Sequence, residues 1–220
     1  MFQTIVSYIS YASDILPAFF CLPFIKRPMP LWVKVLLIYV IYSFCNDTAL
    51  IILDSYDNRV PIFYLLSLFT LLEYVAFAFV LYLFIDNLIA RRVILILSGA
   101  FLLFCNIHVF SISSYGFDSL PASIESILLV SFSIYVLYEQ MNKPHIIFIY
   151  YEPSFWVTVA FILFFSGTFF LFILANNLSR EERDQSWTIN LCLNILKNVL
   201  FIIAFLYHYK WKKPETGEIA

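Results

Sequence analysis

Charge is scarce in this chain. Only 13% of its 220 residues are Asp, Glu, Lys or Arg, roughly half the share of a soluble domain. Glycine is scarcer still, with four residues, and there are three histidines. No glycine-rich phosphate loop, basic stripe or zinc-type Cys/His spacing is present, which removes nucleotide, nucleic-acid and zinc-module readings. No HExxH helix, nucleophile elbow or multi-histidine set occurs, so no metal and no cofactor is expected and the balance lies against an enzyme. The first apolar run lacks the basic start and small-residue cleavage site of a signal peptide. Neither a repeat nor a low-complexity segment is visible. A net charge of −2 names no partner.

What fills the space is hydrocarbon. The chain is 62% hydrophobic with 25 phenylalanines, and its mean hydropathy is +0.88. Seven apolar runs stand out, at residues 3–25, 31–53, 60–85, 93–110, 119–139, 154–177 and 187–210. A bilayer-spanning helix needs about 20 residues. The expected fold is an all-α membrane protein, a seven-transmembrane-helix bundle forming one domain over residues 1–220. Asp14 and Pro17 inside the first run predict a kinked bundle helix. The cysteines, Cys21, Cys45, Cys105 and Cys192, all lie in apolar runs and read as buried small hydrophobes. Cys105 and Cys192 fall toward one side, the pair a bridge would join.

Basic residues orient the bundle. Nine of the thirteen fall on one side: Lys26, Arg27, Lys34, Arg91, Arg92, Lys143, Lys210, Lys212 and Lys213. Arg59, Arg180 and Arg183 fall on the other, mixed with acids, and Lys197 completes the set. This bias puts the N-terminus outside and the C-terminus in the cytoplasm. Trp32, Tyr151, Trp156, Tyr207, Tyr209 and Trp211 mark the cytoplasmic interface, and Tyr56, Tyr115 and Trp187 the outer one.

Polar residues inside the spans are the functional candidates. A charge at bilayer depth costs at least about 2.5–3.5 kcal/mol unless paired or hydrated. Asn190, Asn194 and Lys197 follow an i, i+4, i+7 pattern and share one face of the last helix. Asp14 and Glu73 are mid-span; Asp47, Glu125 and His108 lie in the outer part. Together they predict a polar pocket opening outward. Glu73 and Lys197 each lie about ten to twelve residues in from the outer ends, about 15–18 Å deep, so a pair between them is expected, directly or through a water or Asn194. Each residue also has a plainer reading. Asp14 and Asp47 read as interfacial or cap-like groups, His108 as a headgroup-level residue, and Glu125, after Pro121, as a complement to the helix dipole. Ser166-Gly167 reads as a close helix crossing, and Asn194 and Asn198 as interhelical glue.

Three stretches, SIESILLVSFSIYVLYEQ at 123–140, PSFWVTVAFILFFSGTFFLFILAN at 153–176 and WTINLCLNILKNVLF at 187–201, resemble a family of small seven-span membrane proteins of unassigned function found in Bacteroidetes. The family-like residues are Glu73, Glu125, Phe155, Trp156, Ser166, Gly167, Asn194 and Asn198. The family often carries His at the position of Asn190 and an apolar residue at that of Lys197. The resemblance implies the topology and a bacterial inner membrane, and no chemistry.

The favoured functional reading is a receptor-like or sensor-like binder of a small ligand or lipid. Its tail of about ten residues requires a cytoplasmic or membrane protein partner besides the lipid bilayer; nucleic acid is not one. The alternatives are a membrane-embedded lipid-modifying enzyme using paired carboxylates and a histidine, and a proton- or ion-coupled transporter using buried Asp, Glu and Lys groups. A retinal pigment with Lys197 as Schiff base and Glu73 as counter-ion is disfavoured: position 193 is leucine where microbial rhodopsins carry an acid.

Overall fold

A computed structural model describes residues 2–54, 59–111, 119–143, 148–174 and 180–211. Tyr56, Tyr115, Lys212 and Lys213 lie outside the described residues. Among the described residues every regular element is helical: α1 (Phe2–Cys21), α2 (Leu31–Asp54), α3 (Arg59–Phe84), α4 (Leu88–Ser111), α5 (Ser119–Met141), α6 (Pro153–Leu174) and α7 (Arg180–Leu206), with α7 continuing into a π-helical turn at Tyr207–Trp211.

Six stretches are long and apolar enough to cross a membrane: Leu31–Leu53, Tyr64–Phe84, Leu88–His108, Leu120–Met141, Pro153–Ile173 and Trp187–Tyr209. Hydrocarbon offers backbone amides no partner, and a helix satisfies them internally. The outward faces carry Ile38, Ile96, Leu103, Ile134 and Phe170, all exposed. The chain is a multi-pass membrane protein. α1 is not among the six.

Three boundaries differ from the hydropathy reading. α1 stops at Cys21 rather than at residue 25, because Pro23 lacks an amide donor and opens a 3-10 turn at Leu22–Phe24. α4 starts at Leu88, where Asn87 Oδ1 accepts from the amides of Ile89 (2.8 Å) and Ala90 (3.4 Å) as an N-cap. Arg91 and Arg92 therefore ride on the first turn of α4 and not in a link. α7 begins at Arg180, because a helix can run past the apolar window into polar sequence.

Helices α1, α2, α3, α5, α6 and α7 pack in a closed ring, with α7 against both α1 and α6, and α5 against both α3 and α6. α4 rests lightly outside the ring on α3 and α5. Much of the packing between the helices is aromatic. Phe77, Phe161, Phe201 and Phe205 are wholly buried, along with Leu81 and Ile85. Phe77 and Phe161 ring centroids are 4.3 Å apart, and Phe161 meets Phe201 edge-on at 5.8 Å. Lipid is as apolar as these side chains, so dispersion and shape hold them together more than water exclusion does.

Contacts near the end at which α2, α4 and α6 begin order the basic side of the bundle. Lys143 pairs with Asp86 at 2.6 Å, Arg91 Nε donates to Ile85 O at 2.6 Å, and Trp156 Nε1 donates to Tyr150 O at 2.8 Å. Trp32 sits among Phe84, Phe205 and His208. All four cysteines are free. Cys21 and Cys105 are buried, but Cys45 and Cys192 are exposed; a helix apolar all round gives no sign of which side turns inward.

Gly167 marks the α6–α7 crossing. A Cβ added there would collide with the Leu193 Cδ1 methyl. That methyl is the mobile end of its side chain, so Gly167→Ala is expected to lower the detergent melting temperature only slightly. Gly167→Leu forces overpacking, which costs about 1–3 kcal/mol, and adding Leu193→Ala should recover much of the loss. A Gly167→Leu protein melting like the wild type would show that the crossing is not tight.

Candidate functional site

The inward face of α7 gathers the buried charge. Lys197 is 2% exposed. Its Nζ donates to the Tyr39 hydroxyl on α2 at 2.8 Å, and that hydroxyl donates to Glu73 Oε1 on α3 at 2.5 Å. Nζ and Glu73 Oε1 are 3.7 Å apart, beyond good hydrogen-bonding distance. The phenol therefore couples the two charges. The ammonium also lies 4.1 Å from the Phe164 ring centroid, with Tyr39 and Phe77 at 5.1 and 5.7 Å. Cation–π attraction strengthens when the cation is desolvated, so this cage offsets part of the cost of burial.

A second polar layer joins α1 to α7. Asp14 Oδ1 accepts from Asn194 Nδ2 at 2.7 Å and Asn198 Nδ2 at 2.8 Å. The same amides donate to Ser10 Oγ (3.2 Å) and Ser13 Oγ (3.0 Å) respectively. Serines at these positions let the helices approach closely while filling the amide bonds. Asp14 Oδ2 is buried without a hydrogen-bond partner, and the Asp47 carboxyl is near enough to interact with Asp14.

Above these layers lies a cavity of about 170 Å³. Its polar lining comprises Ser10, Ser43, Asn46, Asp47, Thr70, Glu73, Glu125, Asn190, Asn194 and Lys197; Phe69, Phe164, Phe165, Phe172 and Trp187 supply aromatic walls. These residues come from the first half of α1, from the first halves of the apolar spans in α3, α5 and α7 and from the second halves of those in α2 and α6, so the cavity lies toward the end at which the odd-numbered helices begin. Beyond Lys197, one turn along α7, the wholly buried Phe201 begins the aromatic packing that fills the bundle toward its basic end.

Asp47, Glu73, Glu125, Asn190, Asn194 and Lys197 thus share one cavity. Asp14 stands behind it, held by Asn194. His108 does not reach it: it lies in the last turn of α4, stacked on Phe104 at 5.2 Å, outside the ring. Glu125 is beyond the first turn of α5 and 3% exposed, so it is no dipole complement. Asp14, 2% exposed in mid-helix, is neither interfacial nor a cap. Ser166-Gly167 meets Leu193 of α7 and stays out of the cavity lining. Sequence reasoning missed Tyr39 and the lining residues Ser10, Ser43, Asn46 and Thr70; the place of Tyr39 one turn before Ser43 and two before Asn46 and Asp47 puts it on their face of α2.

No protein-family model matches this chain, and no curated protein or solved structure is significantly similar to it.

Proposed function

We propose that the protein is a seven-span, receptor-like binder of a small ligand in a bacterial inner membrane, with α1 as the seventh span, its N-terminus outside and its C-terminus in the cytoplasm. The ligand enters the polar cavity from the outer side. A membrane or cytoplasmic protein partner reads the occupied state. The observation that carries this reading is the one-ended cavity. Polar groups from five helices meet at one end of the ring, and packed phenylalanines fill the other. A transporter must open its site to both faces in turn, and packed Phe77, Phe161 and Phe201 stand across the second route. The acid–base enzyme reading loses its histidine, since His108 sits on α4 outside the ring. The excess of Lys and Arg at the end away from the cavity supports the orientation.

Thiol labelling tests access and orientation together. In a background with all four native cysteines replaced by alanine, Asp47→Cys and Phe201→Cys are treated with a membrane-impermeant thiol reagent. The Asp47→Cys protein should label in spheroplasts and not in inside-out vesicles. Phe201→Cys should label in neither. Labelling of Asp47→Cys from the cytoplasmic side alone would reverse the orientation, and labelling of Phe201→Cys would replace binding with transport.

A further inference from the structure

We propose that the cavity takes a small organic cation, a primary or secondary ammonium ion carrying a compact apolar body. This rests on reading the cavity as a ligand site and names the chemistry of its occupant.

The hydrogen-bond accounting points to a donor. Glu125 Oε1, Asn46 Oδ1 and Asn190 Oδ1 are buried oxygens without a partner, and all three residues line the cavity. Glu125 and Asn46 are 3% and 4% exposed. Unfilled buried acceptors are costly, and they stand on three helices, α5, α2 and α7, around one space. The protein's own cation there is already engaged: Lys197 is bound to Tyr39 and set against Glu73. Three carboxyl side chains, Asp47, Glu73 and Glu125, line a space with that one lysine. An anionic ligand would face those three carboxyl side chains and the unpartnered oxygens, with the one lysine already engaged. An ammonium supplies both the N–H groups and the charge, and charge-assisted bonds are roughly twice as strong as neutral ones.

The walls set the rest of the ligand. Phe164, Phe165, Phe172 and Trp187 are apolar and aromatic, a surface for a hydrocarbon body or for further cation–π contact. The cavity volume of about 170 Å³ is close to that of an engineered apolar cavity of about 150 Å³ that accepts benzene. This is room for a ring and a short arm and too little for a lipid. A hard inorganic cation asks for six to eight oxygen ligands, and among the described residues no group of three or more His, Cys, Asp and Glu side chains converges to hold a metal ion.

The test uses the full chain in mild detergent and reads its melting temperature against ethylammonium, benzylammonium and 2-phenylethylammonium chlorides. Benzyl alcohol, sodium benzoate and sodium chloride at matched ionic strength are the comparisons. At least one ammonium should raise the melting temperature in a saturable way, and benzoate and sodium chloride should not. Benzyl alcohol should bind at least about tenfold more weakly than benzylammonium. Glu125→Gln should fold and lose at least tenfold in ammonium affinity; Asn190→Leu, at a half-buried position, provides the same readout should the first variant fail to accumulate. Equal shifts from alcohol and ammonium would overturn the cation and leave the binding site standing. A shift from sodium chloride alone would assign an inorganic ion instead. No shift from any ammonium overturns the proposal, and the thiol labelling of Asp47→Cys then decides separately whether the cavity is a site at all.

Discussion

Lys197→Met should cost more stability than any other single change in the cavity, about 3–5 kcal/mol by comparison with other broken buried pairs. Methionine is unbranched and one atom shorter, and its polarizable thioether end can pack toward Phe164 and Phe77, so little dispersion is lost. What goes is the charge that answers Glu73, which is 7% exposed. Glu73→Gln strands the ammonium in the same way. The double variant removes both charges, and its loss in detergent melting temperature should fall well short of the sum of the two singles. Tyr39→Phe separates direct from relayed coupling. It deletes both the 2.8 Å and the 2.5 Å bonds and leaves the charges 3.7 Å apart. If the phenol is the coupler, the interaction energy between Glu73 and Lys197 measured in the Tyr39→Phe background changes markedly. Additive losses for Glu73→Gln and Lys197→Met would mean that the two charges do not interact and that the cavity lacks its proposed centre.

Residue counting placed Glu73 and Lys197 at one depth because helical rise is fixed at about 1.5 Å per residue. Depth says nothing of what lies between. A tyrosine in the middle of WVKVLLIYVIYSFCND reads as another aromatic, and only the approach of α2 to α3 and α7 shows its hydroxyl bridging two charges. Asn194, the other candidate bridge, is committed to Asp14. The apolar runs were legible because hydrocarbon demands them. Their arrangement was not: α4 is as apolar as its neighbours, yet sits outside the ring and takes His108 with it. α1 shows the converse. Its serines and Asp14 make it a weaker hydrophobic signal, and those same residues bind it to α7.

That clasp gives the second large effect. Asp14→Leu leaves the amides of Asn194 and Asn198 with only their serine bonds, at 3.2 and 3.0 Å. Hydrogen bonds to a charged group contribute about 1.5–3 kcal/mol each. With the serine contacts retained, a net loss of about 2–4 kcal/mol is expected, seen as a lower melting temperature in detergent. Asp14→Asn should behave quite differently. Its carbonyl oxygen can take the place of Oδ1 and accept from both amides. Its new NH₂ group stands where Oδ2 has no partner and where the Asp47 carboxyl lies close by. A donor there replaces the meeting of two carboxyls with an amide–carboxyl contact. Asp14→Asn is therefore expected to melt at or above the wild-type temperature while Asp14→Leu melts well below it. Equal melting of the two variants would show that side-chain shape at position 14, and not its hydrogen bonding, holds α1 against α7.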